Sequence, residues 1–174
     1  MGTIQPRKNY PRLIEAFSRL ILDSQYKDLA LVIVGKKGWM WEETFKAPKK
    51  FGVEDKVKFL DYVPDEDLPA LYKGAKCFVL VSLYEGFGIP ALEAMSFGCP
   101  VVVSNISSLP EVVGGAGILV DPYNVEDITE GIKKAIKNRD DLVKKGYKQA
   151  SNFSWEKTAK KVLAVLEEVG GRNV

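Results

Sequence analysis

A chain of 174 residues with 46% hydrophobic and 28% charged side chains has the size and composition of one globular domain around a single core. Its 25 basic and 23 acidic residues leave a net charge of +2, too balanced to argue for a nucleic-acid or acidic-membrane partner. It has no histidine, the commonest general base and metal ligand, no apolar run near the ~20 residues of a membrane span, and no opening signal peptide.

Apolar runs alternate with helical patterns along the chain. Residues 9–24, NYPRLIEAFSRLILDS, set Leu13, Ile14, Phe17, Leu20 and Ile21 on one helical face. Residues 29–35, LALVIVG, form a β-rich run closed by glycine. Residues 41–52 predict a helix interrupted or bent near Pro48. A strand follows over 56–63, then a helix over 64–75 whose start carries proline and acids, as a helix N-terminus should. Strand 76–83, helix 90–98, strand 100–105, a short helical turn over 109–115 and strand 117–121 complete the alternation. Three helices are predicted to close the chain, over 125–137, 139–150 and 154–169. Cys77 and Cys99 lie in or beside apolar runs, so both read as buried thiols, which fits a cytoplasmic location.

Strands that alternate with helices predict a Rossmann-like, doubly wound parallel sheet with helices on both faces, in one domain over residues 1–174. The near-continuous apolar strands agree, because parallel strands are buried on both sides. Such sheets bind ligands beyond the carboxyl ends of their strands. The loops to inspect are therefore 2–8, 35–41, 61–66, 82–89, 104–109 and 121–124.

In the first loop Gly2 allows a tight turn, and Arg7 and Lys8 arrive just before a helix that Asn9 is placed to cap and Pro11 to open. Cations there oppose the helix dipole; an anion such as a diphosphate would offset the conflict. The plainer alternative is two solvated basic residues. In the second loop Gly35 and Gly38 permit close backbone approach, while Trp39 and Trp41, one residue apart, offer at most one ligand-facing ring. The fourth loop reads YEGFGIPALEA, residues 84–94. Pro90 suits the first helical turn, so the amides of Phe87, Gly88 and Ile89 stand free at the helix entrance. Glu93 lies one turn inside that helix, and a carboxylate accepting two hydrogen bonds suits the vicinal hydroxyls of a ribose. Glu85 stands before the turn, placed to accept from sugar hydroxyls or to oppose developing positive charge. Helix-dipole stabilisation accounts for one acid, but not for a Gly-Phe-Gly turn, a proline and a second acid together. Ser107 or Ser108 reads as the cap of the short helix that carries Glu111, a purely structural role.

The run EGFGIPALEAMSFGCPVV resembles the signature of family-four retaining glycosyltransferases, in the carboxyl-terminal domain of the GT-B fold. GTIQPRKNYPRLIEAF, LVIVGKKGW, VKFLDYVPDEDLPALYKGA and SLPEVVGGAGILVDP resemble the same family in the same order, over nearly the whole chain. The resemblance implies a nucleotide-sugar donor site. Glu93 matches the acid that holds the ribose, and Glu85 the acid that contacts the transferred sugar. Gly86, Phe87, Gly88 and Ile89 match the backbone that meets sugar hydroxyls and phosphate. Lys8 matches the lysine that neutralises the diphosphate, with Arg7 beside it. Gly2, Gly35, Tyr62 and Val63 match the phosphate-loop and base-binding sides of the crevice. The family retains anomeric configuration and needs no metal or other cofactor. The sequence VGKKGW is similar to members that use mannose donors, a lean toward GDP-mannose.

Three departures shape the expectation. Gly2-Thr3 stands where many members have Gly-Arg, so Arg7 is expected to substitute. The resemblance covers one of two GT-B domains, so the expected partners are a nucleotide sugar and an amino-terminal acceptor domain or a separate acceptor subunit. The chain opens where the family's first strand would be ending, which predicts a sheet short of a central strand, or one completed by another chain through self-association. The alternatives are a non-catalytic nucleotide-sugar-binding or split-enzyme subunit, an epimerase-like enzyme on the same fold, and a purely structural domain.

Overall fold

The computed structural model describes residues 1–171. The apolar periodicities become elements in the expected order. Helix α1 (Tyr10–Leu20) buries Leu13, Ile14, Phe17 and Leu20 along one face. It is followed by β1 (Leu31–Val34), α2 (Glu42–Lys50), β2 (Val57–Leu60), α3 (Leu68–Gly74) and β3 (Phe78–Leu80). Then come α4 (Ile89–Ser96), β4 (Val101–Ser104), α5 (Leu109–Val113), β5 (Gly117–Val120), α6 (Val125–Lys137), α7 (Arg139–Ala150) and α8 (Trp155–Gly170). Pro48 is buried and does not end α2, which runs on through Lys50. α3 starts at Leu68 rather than at Pro64, because Pro69 fits the first helical turn, where no intrahelical donor is required.

Every strand pair is parallel, in two sheets. β1 pairs with β2, Leu31 opposite Val57. β4 lies between β3 and β5, with Val101 opposite Phe78 on one side and Gly117 on the other. β4 shows how helices come to cover both faces. Val102 joins the apolar cluster that includes Leu13 and Phe17 of α1 and Ile128 and Ile132 of α6. Val101 and Val103 point the other way, into a cluster with Ala91, Ala94 and Met95 of α4 and Leu109 of α5. All three valines are fully buried, and the alternation is the period of two that a strand imposes.

Between the two sheets lies a cavity of about 450 Å³ lined by Leu31, Ile33, Cys77, Phe78, Val79 and the α1 side chain Phe17. Val32 stays 46% exposed, high for a strand of a doubly wound sheet. α8 is set apart: every residue from Trp155 to Gly170 is exposed, and Trp155, Val162, Leu166 and Val169 repeat at helical spacing, 53–82% exposed among the described residues. Among the described residues no helix is long and apolar enough to cross a membrane. Cys77 and Cys99 are free thiols, and burial pushes them up to about 12 and about 11.

Candidate functional site

The loop that enters α1 and the loop that enters α4 meet through three charges. Pro6–Lys8 form one turn of 3₁₀ helix, and Asn9 then takes a left-handed conformation at φ 60°. Asn9 does not cap α1 with its side chain as expected. Its Nδ2 donates instead to the carbonyls of Val81 and Pro122, at 3.0 and 2.7 Å, which ties the helix start to the ends of two strands. This anchor aims the preceding cations at Glu85. Lys8 Nζ donates to Glu85 Oε1 at 2.6 Å, and Arg7 Nη1 to Oε2 at 3.0 Å and to the Tyr84 carbonyl at 2.8 Å. Ser82 Oγ adds a donor to Oε1 at 2.7 Å. Lys8 and Glu85 are buried, so the reading of Lys8 as a solvated cation fails. Burial favours the neutral form of Glu85, but the hydrogen bonds from Lys8, Ser82 and Arg7 outweigh it and hold the carboxyl below its usual range.

The loop that carries Glu85 is held from behind by two serines. Ser107 Oγ accepts from the Glu85 amide and donates to the Glu85 carbonyl. Ser108 Oγ reaches the carbonyls of Glu85 and Phe87, at 2.9 Å each. Neither side chain caps α5, which corrects the expectation drawn from its position before Pro110. Nothing local in the sequence marks this role; the link spans 22 residues and exists only once β3 and β4 lie side by side. Gly88 has φ 105°, and a Cβ there would fall 2.6 Å from Leu109 Cδ2, so this turn requires glycine. Among the described residues, the amides of Gly86, Phe87, Gly88 and Ile89 donate to no protein acceptor. The side chains of Phe87 and Ile89 are roughly half exposed, with Phe87 edge-on to Phe153.

Beside this charge cluster, Gly2, Gly35, Tyr62, Val63 and Glu93 line one crevice of about 360 Å³. Residues 2–4 are laid along the end of β1: the Gly2 amide donates to the Val34 carbonyl and the Ile4 amide to the Lys36 carbonyl, each at 2.9 Å. A Cβ on Gly35 would collide with the Gly2 carbonyl, so the approach depends on that glycine. A Cβ on Gly2 would lie 3.4 Å from Lys8 Nζ, which places the crevice directly against that cation. Tyr62 is exposed, with the Lys36 ammonium 5.2 Å from its ring centre. Glu93 accepts from the Tyr72 hydroxyl at 2.9 Å, and among the described residues no cation pairs with it. Of the tryptophans, Trp41 packs edge-on against Phe45, while Trp39 is exposed and donates to Gln5.

The structure thus brings all twelve predicted residues to two adjoining places. A crevice lined by the glycines Gly2 and Gly35, by Asp61 and Glu93 and by Lys36 adjoins Lys8, which with Arg7 pairs with Glu85, in the loop that carries the four free amides. That set can grip a ligand with hydroxyls toward one end and an anionic group toward the other. Among the described residues no group of three or more Cys, Asp or Glu side chains is arranged to hold a metal ion.

Residues 1–154 match the family model of the glycosyl transferases group 1. Over 159 residues the chain is 43% identical to the O-antigen chain mannosyltransferase B of Escherichia coli, an alignment covering 90% of this chain and 42% of the relative. The carboxyl-terminal domain of a glycosyl transferase group 1 family protein from Francisella tularensis superposes with a TM-score of 0.76 at 26% identity, covering 87% of this chain and 82% of that one. A sucrose-phosphate synthase from Thermosynechococcus elongatus gives 0.81 at 22% identity, over 98% of this chain and 45% of that one, a likeness of fold. The chain spans less than half the length of the curated relatives it matches. By family match and by fold, the chain belongs to the glycosyl transferases group 1.

Proposed function

We propose that this chain is the donor-binding half of a retaining glycosyltransferase that moves a hexose from a nucleoside-diphosphate sugar, with GDP-mannose the favoured donor. The observation that carries the reading is the contact of the Gly2–Gly35–Glu93 crevice with Lys8, which is buried with Glu85 and joined there by the partly exposed Arg7. In this reading the nucleoside lies in the crevice, its ribose hydroxyls on Glu93 and its base toward Tyr62 and Val63. The diphosphate reaches Lys8, Arg7 and the amides of Gly86 through Ile89, and the sugar lies against Glu85. Family membership and a mannosyltransferase relative at 43% identity support the donor class.

The chemistry follows from where charge develops. As the glycosidic bond lengthens, negative charge grows on the departing diphosphate. Preorganised cations and backbone donors in a half-buried loop stabilise it without reorganising. Lys8 and Arg7 begin on Glu85, so the diphosphate gains two cations already positioned by a carboxylate. Departure and attack on one face of the sugar would retain configuration and require neither a protein nucleophile nor a metal. The acceptor belongs to a second domain or subunit that closes over the site and excludes water.

Calorimetric titration of the chain with GDP, UDP and ADP, and then with their sugars, tests the reading. One nucleotide should bind in preference. Glu93→Ala should weaken it about tenfold or more, the loss expected for hydrogen bonds to a charged group. A folded chain that binds none of the three, or that binds equally well without Glu93, overturns the assignment. Transfer from the bound sugar should be weak with the chain alone and rise when an acceptor half is supplied; strong turnover by the chain alone overturns the two-half reading.

A further inference from the structure

Tyr72 is a tyrosine with little freedom. It is 1% exposed on α3, its ring stacked on Phe97 at 5.9 Å and edge-on to Phe78 at 5.6 Å. Tyr72 lines the apolar cavity between the two sheets, and its hydroxyl donates to Oε2 of Glu93, a residue of the crevice, at 2.9 Å. Glu93 projects from α4, the helix whose Ala91, Ala94 and Met95 form the opposite, buried side. Among the described residues Oε1 of Glu93 accepts no hydrogen bond. A glutamate on a helix has two staggered torsions and one broad terminal torsion to settle, and a carboxylate on the rim of an open crevice has several rotamers available. One immovable donor on one oxygen removes that freedom. It leaves Oε1, and one lone pair of Oε2, without a protein donor on a residue that lines the crevice.

We propose that Tyr72 is a positioning residue of the nucleotide site, a fixed hydroxyl that locks the Glu93 carboxylate in the orientation that takes a vicinal diol. This inference rests on the reading of Glu93 as the ribose holder and adds the element that makes it selective. An unlocked carboxylate still attracts hydroxyls, but it meets one as readily as two. A locked one presents both oxygens at once, so it favours a cis-diol over a single hydroxyl. The preference for ribose over deoxyribose is therefore set by α3, an element outside the loops that hold the phosphate. The ring contacts with Phe78 and Phe97 explain why tyrosine is used: a buried aromatic body fixes the hydroxyl, which a serine or a lysine at the same distance would not do.

The test is a comparison of GDP with 2′-deoxy-GDP, and of UDP with 2′-deoxy-UDP, on four forms of the full chain. The native chain should prefer the ribonucleotide. Glu93→Gln should lose most of that preference. Tyr72→Phe, which keeps both ring contacts, should weaken the ribonucleotide roughly three- to tenfold, from the loss of one charge-assisted hydrogen bond, and leave the deoxynucleotide nearly unchanged. Phe97→Leu, which keeps the hydroxyl but loosens the stack that fixes it, should lower the ribose preference part of the way toward that of Tyr72→Phe; a preference left at the native value would mean that the ring contacts do not fix the hydroxyl. If Glu93→Gln lowers the preference and Tyr72→Phe does not, the positioning role fails and the donor site stands. If Tyr72→Phe weakens both nucleotides equally, the hydroxyl only supports the fold, and the proposal fails. If the native chain makes no distinction, or Glu93→Gln leaves it intact, the ribose reading itself fails, and the inference falls with it.

Discussion

Lys8 and Glu85 illustrate what a short motif states and what it conceals. Their types and loops were legible in the sequence, because a cation before a helix and an acid after a strand conflict with or complement known dipoles. Their mutual pairing was not, since 77 residues separate them and only the side-by-side packing of two loops brings them to 2.6 Å. The pairing has consequences for stability. Lys8→Met leaves Glu85 with Arg7 and Ser82 as partners in a buried position, and should cost about 2–4 kcal/mol in chemical denaturation. The pH dependence follows from the depressed Glu85 carboxyl. Its contribution is complete above the unfolded-chain value of about 4.3 and is lost as pH falls through the lower folded value, because the unfolded chain takes up the proton first. Glu85→Gln should lower stability at pH 7, where the contribution is complete, and flatten the acid limb below pH ~4.3; an unchanged acid limb would mean that other carboxylates control it.

Elements were read well where periodicity was strong and less well where a side chain chose a distant partner. α6 and α7 fall on their predicted bounds, and α8 differs by a residue at either end. Asn9, Ser107 and Ser108 all looked like helix caps and all serve instead as struts between loops, since a buried carbonyl left without a donor costs more than an exposed helix end left to water. The turn into α4 is the element on which the site depends. Gly88→Ala should lower stability by about 1–3 kcal/mol through a strained φ and a methyl group pressed on Leu109, and should move the amides of residues 86–89. α8 sits at the other extreme. A solitary 16-residue helix is marginal in water, and among the described residues none of this one's side chains is buried. A chain ending at residue 154 should therefore keep the thermal midpoint of the full chain and lose only the corresponding helical circular dichroism. A large fall in the midpoint would show that α8 packs in solution.

At the scale of the whole molecule, the alternation of strands and helices fixed the fold class, and the division of the strands into two sheets is where backbone pairing departs from simple periodicity. Local stability should follow that division. β4 is paired on both edges and fully buried, whereas among the described residues β3 pairs with one strand only, and β1 with one strand and, at its carboxyl end, with residues 2–4. Amide exchange should accordingly be slowest in β4 and reach β1 and β3 much sooner, through openings that do not require global unfolding. Equal protection across all five strands would indicate that the two sheets behave as one.

The cavity between β1 and β3 has a practical meaning for anyone handling the protein. Two strand edges flank an apolar hollow; Asp28 and Lys76 line it too, but each stands before its strand, and β1 and β3 themselves carry no charge or proline to discourage a stranger. Such an edge is adhesive: any extended, apolar stretch of polypeptide, including one from a partly melted neighbour, finds both hydrogen bonds and greasy walls. Light scattering of concentrated samples warmed gently should rise before the circular dichroism changes, and a lysine placed at Val32 should postpone the clouding.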